Sequence, residues 1–331
     1  MRQKIPDHRS TLGAPYADCE TGFRVAPEAG RVPGMTAFAL QVVPQNATEW
    51  LDTARRAEAV GFDTLLTPDH PGKCVAPHVA LAAAAAVTST IKLGAYVANA
   101  GVREPALLAT DIATLDVVSG GRAVFGIGAG HTPAEWAAVG RNRPDVRGRV
   151  DRCIAVAEAT RRLLAGEEVT VDGPELRMTG ARLVEPRPVQ DRVPLLFGGG
   201  NTRLVRWAAD NADVIGLSGA GRTLPDGYSH DVRWRLDDLD AQFEPVRGKT
   251  LEALVQIFAV TDDPAAVLAE FTEHTGLTVD ELRQAPFLLV GTIDEIAASI
   301  REHERRWGIT RYALRRPALD HLPELIAALD S

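Results

Sequence analysis

The 331-residue chain predicts an α/β protein, a single (β/α)8 TIM barrel with insertions at its rim. Three observations predict it. Short apolar runs alternate with amphipathic helical stretches from Met35 onward, and eight such runs can be placed. The length suits one large barrel as well as two smaller domains, and no early change of pattern divides the chain. Two segments, 166–192 and 218–250, interrupt the alternation without replacing it, as rim insertions do.

Residues 1–34 stand apart. They are rich in Pro, Gly and charge and show no helical or alternating apolar period, so they read as a loose N-terminal arm before a barrel at 35–331. Strand 1 is expected at Phe38–Val43, followed by a helix that starts at Asn46 with Glu49 three residues on, a capping-box pattern. Trp50, Ala54, Ala57 and Val60 give that helix its apolar face, and Gly61 stops it. Strand 2 is Thr64–Thr67, the alanine-rich Ala80–Val87 is helix 2, and Ile91–Val97 is strand 3. Pro105 opens helix 3 where its missing N–H costs nothing, and Ser119-Gly120-Gly121 ends it.

Strand 4 is Ala123–Ile127, and a long helix runs over 148–164. The Gly173-Pro174 turn predicts a small hairpin within 166–192. Strands 5 to 8 are expected at Val193–Phe197, Asp213–Leu217, Leu254–Val260 and Tyr312–Leu314, with helices near 264–274, 294–307 and 322–329.

Composition narrows the function. A net charge of −8 with no basic stripe argues against a nucleic-acid partner. No window approaches the eighteen apolar residues of a membrane span, and no apolar signal-peptide core is seen, so a cytoplasmic protein is expected. Cys19, Cys74 and Cys153 are odd in number and lack metal-type spacing, which fits a reducing compartment.

In a barrel the chemistry sits just past the C-terminal ends of the strands. Those ends supply Gln41–Gln45, Asp69 and His70, Asn99, Gly128–His131 and Gly198–Asn201. Gly126-Ile-Gly128-Ala-Gly130-His131 fails the dinucleotide fingerprint, because position 131 would have to be glycine. The P-loop and the Gly-x-Ser-x-Gly elbow are missing too. Strand 1 ends Gln41-Val-Val, a poor start for converging metal ligands, so no metal site is expected. Gly198–Gly200 before a helix can present backbone N–H groups to a phosphate, or can simply allow close strand–helix packing.

A resemblance runs through several strings. Asp69-His70, Leu93-Gly-Ala-Tyr-Val97 with Arg103 and Pro105, Leu115-Asp-Val-Val-Ser-Gly-Gly-Arg122 and Gly126-Ile-Gly-Ala-Gly130 resemble the luciferase-like flavin and deazaflavin oxidoreductases. Pro186-Arg-Pro-Val-Gln190, Pro194-Leu-Leu-Phe-Gly-Gly-Gly200, Ala212-Asp213 and Val290-Gly-Thr292 agree with it. Within that superfamily the chain is most similar to the branch that uses coenzyme F420, a deazaflavin that carries hydride at C5 and reacts poorly with oxygen.

The resemblance implies roles. Asp69 would lie near the deazaflavin, and His70 would exchange a proton with a small-molecule substrate. A non-proline cis peptide would fall at Tyr96-Val97 with Asn99 just beyond. Gly128 and Ala129 would approach the cofactor, and Gly199, Gly200 and Asn201 would hold its phosphate. It also implies a homodimer. His131 stands where sugar-phosphate dehydrogenases of this kind place a glutamate, and Cys74 where they carry an aromatic residue, so a sugar phosphate is not expected. An imidazole titrates near neutrality, which makes His131 a second candidate for the proton. Arg103 reads as a barrel-end ion pair, Trp136 as packing. Two alternatives remain: an FMN-dependent monooxygenase using reduced flavin and oxygen, and a non-catalytic flavin- or ligand-binding barrel.

Overall fold

The computed structural model describes residues 35–224 and 230–331; the predicted arm 1–34 lies outside the described residues. Eight parallel strands close on themselves in the order β1 Ala37–Gln41, β2 Thr64–Thr67, β3 Lys92–Ala95, β4 Ala123–Gly128, β5 Leu195–Gly198, β6 Val214–Leu217, β7 Leu251–Leu254 and β8 Ile309–Leu314. Pairing of β8 with β1 and of β3 with β4 completes the ring.

The helices are α1 Ala47–Val60, α2 Pro77–Ala85, α3 Pro105–Ser119, α4 Pro133–Ala138, α5 Val146–Leu164, α6 Thr202–Asn211, α7 Leu236–Phe243, α8 Pro264–Thr275, α9 Val279–Arg283, α10 Ile293–Trp307 and α11 Leu322–Asp330. Strand alternation decides the two faces. Ala39, Leu66, Val124, Leu196 and Ala313 pack with Tyr96 inside the barrel, while Phe38, Leu40, Leu65, Phe125 and Phe197 belong to the layer between strands and helices.

The start of α1 follows the sequence closely. The Asn46 side chain accepts from Glu49 N, but the Glu49 carboxylate reaches back to Gln45 N rather than closing a full box. Gly61 adopts φ +103 to end the helix. The hairpin in 166–192 is present as antiparallel Glu168–Asp172 and Arg177–Arg182.

Three expectations need correction. Helix α2 begins at Pro77, where proline takes the first turn. The predicted strand 3 is interrupted after Ala95 by a cis Tyr96-Val97 bond, and Ala98–Asn99 then resumes pairing with β4. The barrel's seventh strand is Leu251–Leu254; Ile257–Val260 pairs outside the barrel with Leu288–Gly291, a strand not foreseen. The expected strand Leu254–Val260 thus overlaps the barrel strand only at Leu254, and Val255-Gln256 separates the two observed strands. The short helices α4 and α9 were also not predicted.

Several strings of the resemblance turn out to be fasteners. The fully buried Asp116 carboxylate of α3 accepts from Val189 N at 2.7 Å, Gln190 N at 3.0 Å, Gln190 Nε2 at 2.6 Å and Ala123 N at 3.2 Å. It ties the 186–190 loop to the start of β4. Arg122 donates to Ala85 O, Thr88 O, Ile91 O and Ser119 O, closing the C-terminal ends of α2 and α3.

At the opposite end from the mouth, Glu252 is buried in β7 beside Arg311, which also pairs with Asp63. Burial pushes the Glu252 carboxyl up to about 7, against the pull of Arg311. A carboxyl raised in the folded state contributes most stability at acid pH, and that contribution is lost as pH rises from its unfolded value near 4.5 to about 7. Replacing Glu252 with Gln therefore gives a melting temperature that gains on the native protein as pH rises through this window and levels off above it. A pH-independent difference between the two proteins contradicts this assignment.

Candidate active site

The C-terminal ends of the strands surround a cleft of about 810 Å³. Asp69, His70, Tyr96, Val97, Asn99, Gly128, Ala129, His131, Gly199 and Gly200 all line it. Asn201 stands just beyond, at the start of α6.

Asp69 is buried, and its carboxylate is fully engaged by protein. Arg103 donates to it twice, Nε at 3.0 Å and Nη2 at 2.7 Å, and Asn99 N donates at 2.9 Å. The acid therefore locks the end of β2 to the segment after β3, and Arg103 is the barrel-end ion pair expected. Arg152 from α5 secures the same segment by donating to Ala100 O at 2.8 Å and Arg103 O at 3.2 Å.

The Asn99 side chain continues the network. Its Oδ1 accepts from Gly101 N at 2.8 Å, and its Nδ2 donates to Glu135 Oε2 at 2.6 Å. A Cβ on Gly130, which adopts φ +69, would sit 1.9 Å from Asn99 Oδ1, so this glycine makes room for the amide.

Glu135, buried in the first turn of α4, places its other oxygen 2.8 Å from His70 Nδ1. A carboxylate oxygen accepts, so Nδ1 carries the hydrogen and Nε2 is the nitrogen left for a proton or a substrate atom. The His70 side chain is 36% exposed, enough to be reached from the cleft.

His131 lies edge-on between two other imidazoles, with centroids 5.7 Å from His70 and 4.6 Å from His230. Burial first, and then repulsion by His230, His70, Arg143 and Arg149, lower its pKa to about 4. It is neutral at pH 7, which corrects the expectation that its imidazole titrates near neutrality.

The floor of the cleft explains the glycines of three strands. A Cβ on Gly216 would meet Tyr96 Oη at 1.9 Å, and one on Gly198 would meet Tyr96 Cε2 at 2.7 Å. A Cβ on Gly128 would meet Val97 Cγ2 at 2.5 Å and Gly198 O at 2.8 Å. Gly128 thus admits neighbouring protein atoms, where the resemblance implied room for a cofactor. Gln41 Nε2 donates to Tyr96 O at 2.6 Å and fixes the floor from below.

One end of the cleft is cationic. Arg149, Arg222 and Arg233 surround a smaller cavity of about 310 Å³ that borders Gly200, Asn201 and Thr202. The Asn201 side chain caps α6, accepting from Arg203 N at 3.0 Å and Leu204 N at 3.3 Å. Its Oδ1 is committed to the helix, and the turn offers an anion its backbone and the neighbouring arginines. Among the described residues no group of three His, Cys, Asp or Glu side chains is placed to hold a metal ion. No helix among them is long and apolar enough to cross a membrane.

A family model described as luciferase-like monooxygenase matches residues 26–276. The chain belongs to this family.

Within the luciferase-like family, the chain is 32% identical over 231 residues to an F420-dependent glucose-6-phosphate dehydrogenase of Intrasporangium calvum, covering 64% of this chain and 67% of the relative. It is 31% identical over 179 residues to a 5,10-methylenetetrahydromethanopterin reductase of Methanolobus tindarius, covering 54% and 52%. The chain thus spans between half and two thirds of the length of these curated relatives. The coenzyme F420-dependent tetrahydromethanopterin reductase structure from Methanopyrus kandleri superposes with a TM-score of 0.69 at 19% identity, covering 89% of this chain and 99% of that one. A long-chain alkane monooxygenase structure reaches the same TM-score, 0.69, at 15% identity, covering 90% and 92%. These likenesses show the luciferase-like barrel fold.

The sequence reading missed Glu135, Arg149 and His230. A signal for the first existed: Thr132-Pro-Ala-Glu135 has the spacing of a capping box. The helix does start there, but Thr132 makes no side-chain cap and Glu135 turns inward to Asn99 and His70.

Proposed function

We propose that this protein is an F420-dependent oxidoreductase that moves hydride between the deazaflavin and a small organic substrate, with His70 exchanging the accompanying proton. The observation that carries this reading is the His70–Glu135–Asn99 chain facing a glycine-floored cleft whose far end is ringed by arginines.

The residues fit such a cofactor. The cleft has room for a tricyclic ring over Tyr96 and Val97, and the Gly200 turn with Arg149, Arg222 and Arg233 suits a phosphate-bearing tail. When bound, the deazaflavin supplies or accepts hydride at C5. Asp69 acts one step back, holding Asn99 in register rather than touching the ring.

His70 is placed for general acid–base work. Glu135 fixes the imidazole plane and its hydrogen on Nδ1, which leaves Nε2 to take or give a proton. In the reductive direction His70 gives that proton to the substrate atom left electron-rich; in oxidation it takes one from an alcohol or amine. The F420 named for the Intrasporangium calvum relative supports this choice of cofactor.

FMN-dependent oxygen chemistry is the second reading, favoured by the monooxygenase description of the family model that the chain matches. The experiment that separates the two is anaerobic turnover of reduced F420 with a panel of imines, enones and ketones. Substrate-dependent loss of reduced F420 without oxygen is expected. Consumption seen only with reduced FMN and oxygen would assign the monooxygenase reaction instead.

A further inference from the structure

A second cavity of about 540 Å³ lies beside the mouth cleft, between the rim strand His230–Val232, the start of α7 and the end of α8. It has His230, Val232, Trp234 and Phe271 in common with the cleft, so an occupant of one touches side chains of the other. The proposed reaction leaves this chamber unused.

Its wall is aromatic. Trp234 stacks on Phe271 with centroids 5.7 Å apart and planes at 28°, and the buried Leu277 adds to the apolar lining. Its polar side is acidic on balance: Asp231, Asp238 and Glu270 line it beside Arg235, His230 and His274, and no ion pair of Asp238 or Glu270 occurs among the described residues. Arg235 is the arginine present, and it pairs with Glu281 at 3.6 Å. The arginines 149, 222 and 233 border a different cavity, beside the Gly200 turn. The mouth is therefore divided by charge, with anions favoured at the Gly200 end and disfavoured in the chamber.

The line His70, His131, His230 runs from the proton-exchanging group to the chamber. A substrate whose reacting end meets His70 would pass its remaining body along these rings and rest it against Trp234 and Phe271. We propose that the chamber is the substrate's distal pocket, selecting a flat apolar ring system that is neutral or cationic and rejecting carboxylates and phosphates. This rests on the assignment of the glycine end to the cofactor.

Isothermal titration calorimetry of the full chain tests the proposal with three probes of one shape: 2-naphthylmethylamine, 2-naphthalenemethanol and 2-naphthoate. The amine and the alcohol are expected to bind at least ~10-fold more tightly than the carboxylate. The pair of changes Asp238→Asn and Glu270→Gln should bring all three within about threefold. Thr275→Trp, which fills the chamber, should abolish binding of all three; should it fail to fold, Phe271→Ala decides, with an expected ~10-fold weakening of amine and alcohol. Equal or tighter binding of the carboxylate, no binding of any probe, or binding unchanged by both chamber substitutions overturns the proposal. F420 binding measured alongside separates the two failures: F420 bound without naphthyl binding removes the chamber alone, and naphthyl binding without F420 removes the cofactor reading.

Discussion

Alanine at position 70 is expected to lower turnover by ~10²-fold or more while leaving F420 affinity within about threefold. Among the described residues the imidazole is the ionisable group in the cleft that is both reachable and fixed by a buried carboxylate, at 2.8 Å. His131 lies close by but is held neutral with a pKa of about 4, so His131→Asn should cost much less than the His70 change. Glu135→Gln should fall between the two, because an amide can present N–H to Nδ1 and reverse the imidazole tautomer. Steady-state oxidation of reduced F420 by the best substrate of the panel checks all three. A His131→Asn protein impaired ~10²-fold beside an active His70→Ala protein would exchange the two roles.

The second large effect concerns stability. Arg103→Ala leaves the buried Asp69 carboxylate without its bidentate partner and should destabilise the fold by ~3–5 kcal/mol. Urea denaturation measures this, and Asp69→Leu combined with Arg103→Met should recover part of the loss, since no unpaired charge then remains. A loss below ~1 kcal/mol for Arg103→Ala would mean that the pair behaves like an exposed one and that Asn99 is held by something else.

Much of the barrel was legible because strand and helix periods are local properties of the chain. The Asn46 cap, the Gly61 and Gly120 stops and the hairpin in 166–192 each follow from residues within a few positions. The seventh strand is misplaced for a physical reason: Leu251–Leu254 carries the charged Glu252 and Ile257–Val260 is wholly apolar, yet which one joins the barrel is settled by distant partners, Ile309–Leu314 for the first and Leu288–Gly291 for the second.

The site shows the same limit. Asp69 and His70 could be picked out as a strand-end pair, but their division of labour depends on Arg103 and Glu135, which reach them across 34 and 65 residues. The glycines suggested a cofactor's close approach, yet several of them accommodate Tyr96, Val97 and Asn99. Burial first, and then repulsion by His230, His70 and two arginines, set the character of His131, and no string of neighbours in sequence encodes that surrounding.

Equilibrium titration of the purified full chain with oxidised F420 and with FMN, followed by ligand fluorescence, tests the central assignment most directly. The arrangement of the Gly200 turn and its arginines predicts micromolar or tighter F420 binding, at least ~10-fold stronger than FMN and weakened a further ~10-fold by Arg149→Ala. Micromolar binding of FMN with none of F420 would contradict it.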